Sequence, residues 1–283
     1  MLNQNDLVLT GASLGTNKFE VILEAAAAGG FMGLSLRLDT YLEAKGRGLT
    51  VGAMRSMLID NNLVVNDLDA IVFSMKGGGG QPWQATNNLE LVLEAAEGFE
   101  VKRTNTVFIG DGEATSQFEL EYFAEIFTNV AKKVLDVGIC PYIEFVPSVS
   151  PIKDVNTVTK ILQYSGINEA GYLLDTWHCH VGSTVEQDLL SLPGERILGV
   201  QLSDIPSMLP EELIKVGLHE RVAPGLGSLD LVGFIKMLDS LGSTAPLAIE
   251  VFSDRLLHEY EPVALACYFG DAMRGLIRSA RQM

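Results

Sequence analysis

Short runs of β-branched and other apolar residues alternate along the chain with longer stretches whose apolar positions recur every three or four residues. The short runs, at 7–10, 32–38, 70–74, 106–110, 140–146, 172–175, 197–203 and 247–252, predict eight strands. The longer ones, at 18–28, 51–61, 88–98, 117–137, 154–164, 185–192, 229–241 and 263–280, predict eight helices. The clearest is 117–137, where Phe123, Phe127, Val130 and Val134 share one face. Ser116, three residues before Glu119, predicts a capping box at its start, and Gly138 a stop. Pro262 stands where the first turn of the last helix tolerates it. Eight alternations with no linker or composition break predict an α/β fold over residues 1–283, a single-domain (β/α)8 barrel. An open doubly wound sheet is the alternative that the same order permits. The glycine run at 77–80 lacks the lysine and hydroxyl residue of a phosphate-binding loop, so it predicts a lid or a plain loop.

Four polar residues interrupt the last predicted strands: Glu144, Asp175, Gln201 and Glu250. Alternation puts Tyr142 with Glu144 on one strand face, Gly199 with Gln201 and Ser203, and Ala248 with Glu250. The opposite faces carry Ile143, Phe145, Val200, Leu202, Ile249 and Val251, which suit packing against helices. In a barrel the polar faces point inward and meet at the carboxyl-terminal mouth. Three carboxylates and an amide cannot be buried together without a counter-charge. One divalent cation meets that need, and four oxygen donors suit Mn²⁺ or Mg²⁺. Salt bridges to Arg or Lys are the competing explanation.

Charge and cysteine content narrow the partners. With 36 acidic and 20 basic side chains the formal charge is −16, which argues against nucleic acid and against an anionic membrane surface. No apolar run reaches the length of a membrane span, and the first residues lack the pattern of a secretion signal. Three cysteines, Cys140, Cys179 and Cys267, fit free thiols better than a disulfide framework, so a soluble cytoplasmic protein is expected.

From Glu144 onward the residues resemble the xylose isomerase-like TIM barrels. The likeness rests on Glu144, on Asp175 with Trp177 and His178, on Gln201 and Asp204, on Arg221 ahead of Pro224, Gly225 and Gly227, and on Glu250. That superfamily includes sugar and sugar-phosphate isomerases and epimerases, hydroxypyruvate isomerase, inosose dehydratase and 3-dehydroshikimate dehydratase. The resemblance implies that Glu144, Asp175, Gln201 and Glu250 hold the metal, and that Glu144 and Glu250 double as acid and base on opposite faces of the substrate. It also implies that His178 and Arg221 bind substrate oxygens. Many members have His where this chain has Gln201, and the Gln form is the one associated with hydroxypyruvate isomerase and the dehydratases. Dimers and tetramers are common among such proteins, so a homo-oligomer is open.

The chemistry agrees with the resemblance. A carbonyl compound bound through adjacent oxygens to a cation has its α-proton acidified, and paired carboxylates can remove and return that proton. The leading reading is therefore isomerisation or epimerisation of a small sugar, sugar phosphate or other polyhydroxy ketone through an enediolate. The alternative is dehydration of 3-dehydroshikimate or an inosose on the same scaffold, and a catalytically silent sugar-binding barrel is the third. The four histidines and the acidic charge do not suit the three-zinc DNA-repair branch. His178 and His180 would share a side if their segment were extended, which leaves a zinc site as a minor alternative. Trp177 can floor the pocket or fill core, and Arg37 can anchor a substrate carboxylate or phosphate or pair with a neighbouring Asp. Asp204 can orient a ligand. Tyr142, below Glu144, reads as barrel filling.

Overall fold

The computed structural model describes residues 2–3, 5–75, 83–85, 89–182, 184–206 and 213–281. Its strands are β1 (Leu7–Thr10), β2 (Gly33–Arg37), β3 (Val64–Met75), β4 (Trp83–Ala85), β5 (Arg103–Phe108), β6 (Cys140–Glu144), β7 (Gly171–Asp175), β8 (Ile197–Leu202) and β9 (Leu247–Ile249). Every strand but β4 pairs in parallel with two neighbours, in the cyclic order β1, β2, β3, β5, β6, β7, β8, β9 and back to β1. This is a closed eight-stranded (β/α)8 barrel with helices outside, not an open sheet. β4 lies outside the ring, antiparallel to the end of β3.

The alternation read from the chain sets which side chains face which way. Ile143, Phe145, Val200, Leu202, Ile249 and Val251 all lie in the apolar layer between barrel and helices. Inside the barrel Tyr142 packs where Gly199 leaves room, since a Cβ on Gly199 would come within 3.2 Å of the Tyr142 ring. Helix Gln117–Leu135 starts with the expected capping box between Ser116 and Glu119, and Gly138 follows it with φ near 79°. Helix Pro262–Arg281 does begin at its proline. The three cysteines are free thiols. Among the described residues no helix is long and apolar enough to cross a membrane.

One difference lies at the amino end of β3 and the others at the carboxyl end of the barrel. β3 begins six residues before its expected start, because Asn66, Asp67 and Asp69 made that stretch look like a loop. Short helices not foreseen, Leu38–Gly46, Thr176–Val181, Leu213–His219 and Asp254–Glu259, follow β2, β7, β8 and β9. The glycine run at 77–80 lies outside the described residues.

Asp204 organises one of these post-strand loops rather than orienting a ligand. Its buried carboxylate accepts hydrogen bonds from the backbone N–H groups of Gly225 (3.1 Å), Gly227 (2.9 Å) and Leu229 (2.9 Å). Removing it leaves three backbone donors of the loop without their shared acceptor at once. Asp204→Ala is expected to cost about 2–4 kcal/mol in a urea unfolding titration. A loss below about 1 kcal/mol would mean that the loop finds other partners.

Candidate active site at the carboxyl end of the barrel

The strand ends deliver the four residues to one place. Glu144 ends β6, Asp175 ends β7, Gln201 is the last but one residue of β8, and Glu250 directly follows β9. All four are buried. Two more groups close over them. His178 lies in the short helix that follows Asp175, with Nε2 3.4 Å from Glu144 and 3.6 Å from Asp175. Asp175 caps that helix, accepting the backbone N–H of Trp177 at 2.7 Å, so its own turn fixes the carboxylate.

Arg221 enters just after helix Leu213–His219 and is 2% exposed. One guanidinium nitrogen lies 2.9 Å from Asp175 and 3.6 Å from a Glu250 oxygen, while Nε donates to the carbonyl of Gly217 at 2.8 Å. The salt bridge weighed for these carboxylates is therefore realised for Asp175 and Glu250. Gln201 donates its amide N–H to Glu250 at 3.1 Å, which leaves its buried Oε1 without a partner.

The remaining candidates resolve as follows. Trp177 is buried against Ile205 and Val216 and also faces the cavity, so it is core and pocket wall together. Arg37 bonds Asp39 through Nε at 3.2 Å, so the expected ion pair is formed, and the residue also lines the cavity. His180 is exposed while His178 is buried. Their segment is helical rather than extended, which separates them and removes the zinc site they would have shared.

Two site residues were missed. Asp69 on β3 lines the same cavity, and Asn105 on β5 donates one amide nitrogen to both Asp69 (2.8 Å) and Glu144 (2.6 Å). The register between β3 and β5 slips between Leu68 and Ile71, a bulge that brings both Asp69 and Ala70 to the cavity. The alternation of Asp67, Leu68 and Asp69 was the available signal for an inward polar face.

Four carboxylates (Asp69, Glu144, Asp175 and Glu250) thus meet two guanidinium groups (Arg37 and Arg221), a formal deficit of two positive charges before His178 is counted. The electrostatics carry that imbalance. Burial raises Glu250 well above the usual carboxylate range, and the charges of Asp175, Glu144 and Asp69 add to it against the pull of Arg221. Burial and the Glu144 charge push Asp69 up to about 7. Burial acts the same way on Asp175, but Arg221 and His178 more than offset it and hold that carboxyl low. Oxygen and nitrogen atoms of Glu144, Asp175 and His178 lie within 4.8 Å of one another, close enough to share an ion. The charge deficit, that cluster and the unpartnered oxygen of Gln201 all fit a divalent cation.

A pH dependence follows for the metal-free protein. Asp69 binds its proton more tightly folded than unfolded, so its contribution to stability is present at low pH and is lost as pH rises through the window between about 4 and 7. In chelator the melting temperature is expected to be higher at pH 5 than at pH 7.5, and Mn²⁺ to narrow the gap. A melting temperature that rises across that window would contradict the assignment.

Above these groups lies a cavity of about 270 Å³. Its floor is Asp69, Glu144, His178, Arg221 and Glu250, and its walls are largely apolar, with Val72, Val107, Ile109, Val146, Ile214 and Phe252.

Residues 23–276 match the family model of the xylose isomerase-like TIM barrel. The chain belongs to that family. Enzymes built on TIM barrels place their active sites at this carboxyl-terminal mouth. A curated 3-dehydroshikimate dehydratase of Pseudomonas aeruginosa is 36% identical over 84 residues, which is 30% of this chain and 13% of that protein. The match therefore spans well under half the length of that relative. Two solved structures are similar throughout. The IOLI protein, with a bound zinc atom, superposes with a TM-score of 0.82 at 16% identity, over 98% of this chain and 100% of that one. An L-ribulose 3-epimerase gives a TM-score of 0.72 at 14% identity, over 100% and 96%.

Proposed function

We propose that this chain is a divalent-metal-dependent enzyme that removes a proton α to the carbonyl of a small polyhydroxy compound, and that the resulting enediolate loses water. The observation that carries the reading is the convergence of Glu144, Asp175, Gln201 and Glu250 beside Arg221, under a cavity whose walls are apolar. A cation held by Glu144, Asp175, Gln201 and Glu250, with Mn²⁺ or Mg²⁺ favoured by the oxygen donors, would stabilise negative charge on substrate oxygen as the proton leaves. Glu144 and Glu250 both face the cavity and serve as the acid and base. One carboxylate takes the α-proton, and the other gives a proton to the departing hydroxyl so that it leaves as water. His178 and Arg221 hold substrate oxygens, and Trp177 forms part of the wall that excludes water.

The apolar wall favours dehydration. An open-chain sugar needs a hydrogen-bond partner for each hydroxyl it buries. A carbocyclic keto acid of the 3-dehydroshikimate type presents a ring face to Val72, Val107 and Ile109, and its carboxylate can take Arg37 at the rim. The partial likeness to a 3-dehydroshikimate dehydratase points the same way. Isomerisation or epimerisation, favoured by the residues alone, is the second reading, since the same two carboxylates can return the proton to a neighbouring carbon or to the other face.

The test follows the proton. Purified protein with Mn²⁺ is incubated in D₂O with 3-dehydroshikimate, inososes, ketoses and sugar phosphates. Loss of water with a new ultraviolet chromophore supports the lyase. Deuterium at a carbon α to the carbonyl with no chromophore supports the second reading, and neither event with any compound defeats both. Removing the metal should also lower the melting temperature, because a ligand at 100 times its Kd stabilises the native state by about 2.7 kcal/mol. An unchanged midpoint in chelator would count against a tight site.

A further inference from the structure

Asp69 and Glu144 face one cavity from β3 and β6, and between them stands a single side chain of β5. Asn105 has no exposed surface. Its one amide nitrogen donates to Asp69 at 2.8 Å and to Glu144 at 2.6 Å, while its Oδ1 has no partner. Turning the amide over would set a carbonyl oxygen against two carboxylate oxygens, so the donors must point this way. Two like charges that would otherwise part are tied to one nitrogen. The bulge in β3 serves the same arrangement, because it brings Asp69 to the cavity while Leu68 and Ile71 on either side stay in the outer apolar layer.

We propose that Asn105 is a positioning residue that holds Asp69 and Glu144 as a pair, and that Asp69 is thereby a further specificity-determining residue, the acceptor for a hydroxyl of the substrate. The second half rests on the proposed function, in that the substrate carries hydroxyls next to the carbon that Glu144 serves. A keto acid bound with its carboxylate toward Arg37 would meet a cation at the rim and an anion at Asp69. Compounds with a hydroxyl to donate there gain, and those with a second carboxylate are repelled.

A double-mutant cycle in chelator at pH 8.5 tests the pairing without any substrate. Asn105→Leu is expected to lower the melting temperature by about 4–8 °C. Adding Asp69→Asn should recover at least half of that loss, because it removes one of the two unbridged charges and supplies a new donor. Losses that simply add would overturn the pairing. Asn105→Ser, which is smaller, replaces the leucine variant in the cycle if that one does not fold. With Mn²⁺ and 3-dehydroshikimate, Asp69→Asn should raise KM about tenfold or more, a larger effect than its effect on kcat, whereas Asn105→Leu should act mainly on kcat. An unchanged KM in Asp69→Asn overturns its role toward the hydroxyl. If the wild-type chain turns over none of the compounds, the proposed function and the hydroxyl role fall together, and the melting cycle still decides the pairing.

Discussion

Glu144→Gln and Glu250→Gln are each expected to reduce deuterium exchange, or water loss, by about 10²–10⁴-fold, the usual contribution of a positioned proton-transfer group. The substitutions keep shape and remove the ability to carry a proton. They should differ in their effect on the fold. Burial and three neighbouring carboxylates already press Glu250 toward its neutral form, so a neutral amide there resembles the protonated acid. Metal-free Glu250→Gln should therefore melt at or above the wild-type temperature, even as activity disappears. Glu144 accepts a hydrogen bond from Asn105 and lies 3.4 Å from His178, and an amide can satisfy only one of these donors with its oxygen. Metal-free Glu144→Gln should melt lower. A catalytically silent binder predicts something else: ligand affinity largely unchanged in both variants, with no turnover in either or in the wild type. Activity within a factor of ten of wild type in both variants would remove these residues from the chemistry.

The barrel was legible because its signals are local and repeated. Each strand carries its own apolar alternation, and helix Gln117–Leu135 announces both of its ends. Glu144, Gln201 and Glu250 stood out because a charge or amide in an apolar strand demands a reason, and a shared parity sends them to one face. Asp69 and Asn105 carried the same chemistry without the same contrast. Asp69 follows Asn66 and Asp67, a run that reads as a turn and masks its alternation with Asp67 across Leu68, and the register slip that follows Leu68 has no mark in the sequence. Asn105 lies between two threonines, so nothing marks it as special until Glu144 and Asp69 are placed on either side of it. The short helices after β2, β7, β8 and β9 were hidden for another reason. With six to nine residues each there is too little length for a period to show, and an end can be set by a single contact such as the Asp175 cap.

Arg221→Leu is expected to destabilise the metal-free protein by about 3–5 kcal/mol, the cost of leaving buried carboxylates without their counter-charge. The guanidinium touches Asp175, Ser203 and the backbone of Glu250, and it lies 4.9 Å from the Phe252 ring centroid. Leucine restores none of the polar contacts. The loss should shrink in acid, since Asp175 is held low by this cation, and the stability it brings is present above the usual carboxylate range and vanishes as pH falls through its lowered pKa. It should shrink also in saturating Mn²⁺, which supplies positive charge to the same carboxylates. Calorimetric unfolding with and without the ion reads both effects. The functional counterpart separates two roles for one residue. If Arg221 holds a substrate oxygen, KM rises by a larger factor than the Mn²⁺ dissociation constant. If it only neutralises the carboxylates, the two change together. Equal changes would make Arg221 a structural ion, and the recognition of substrate oxygen would fall to His178 and Arg37.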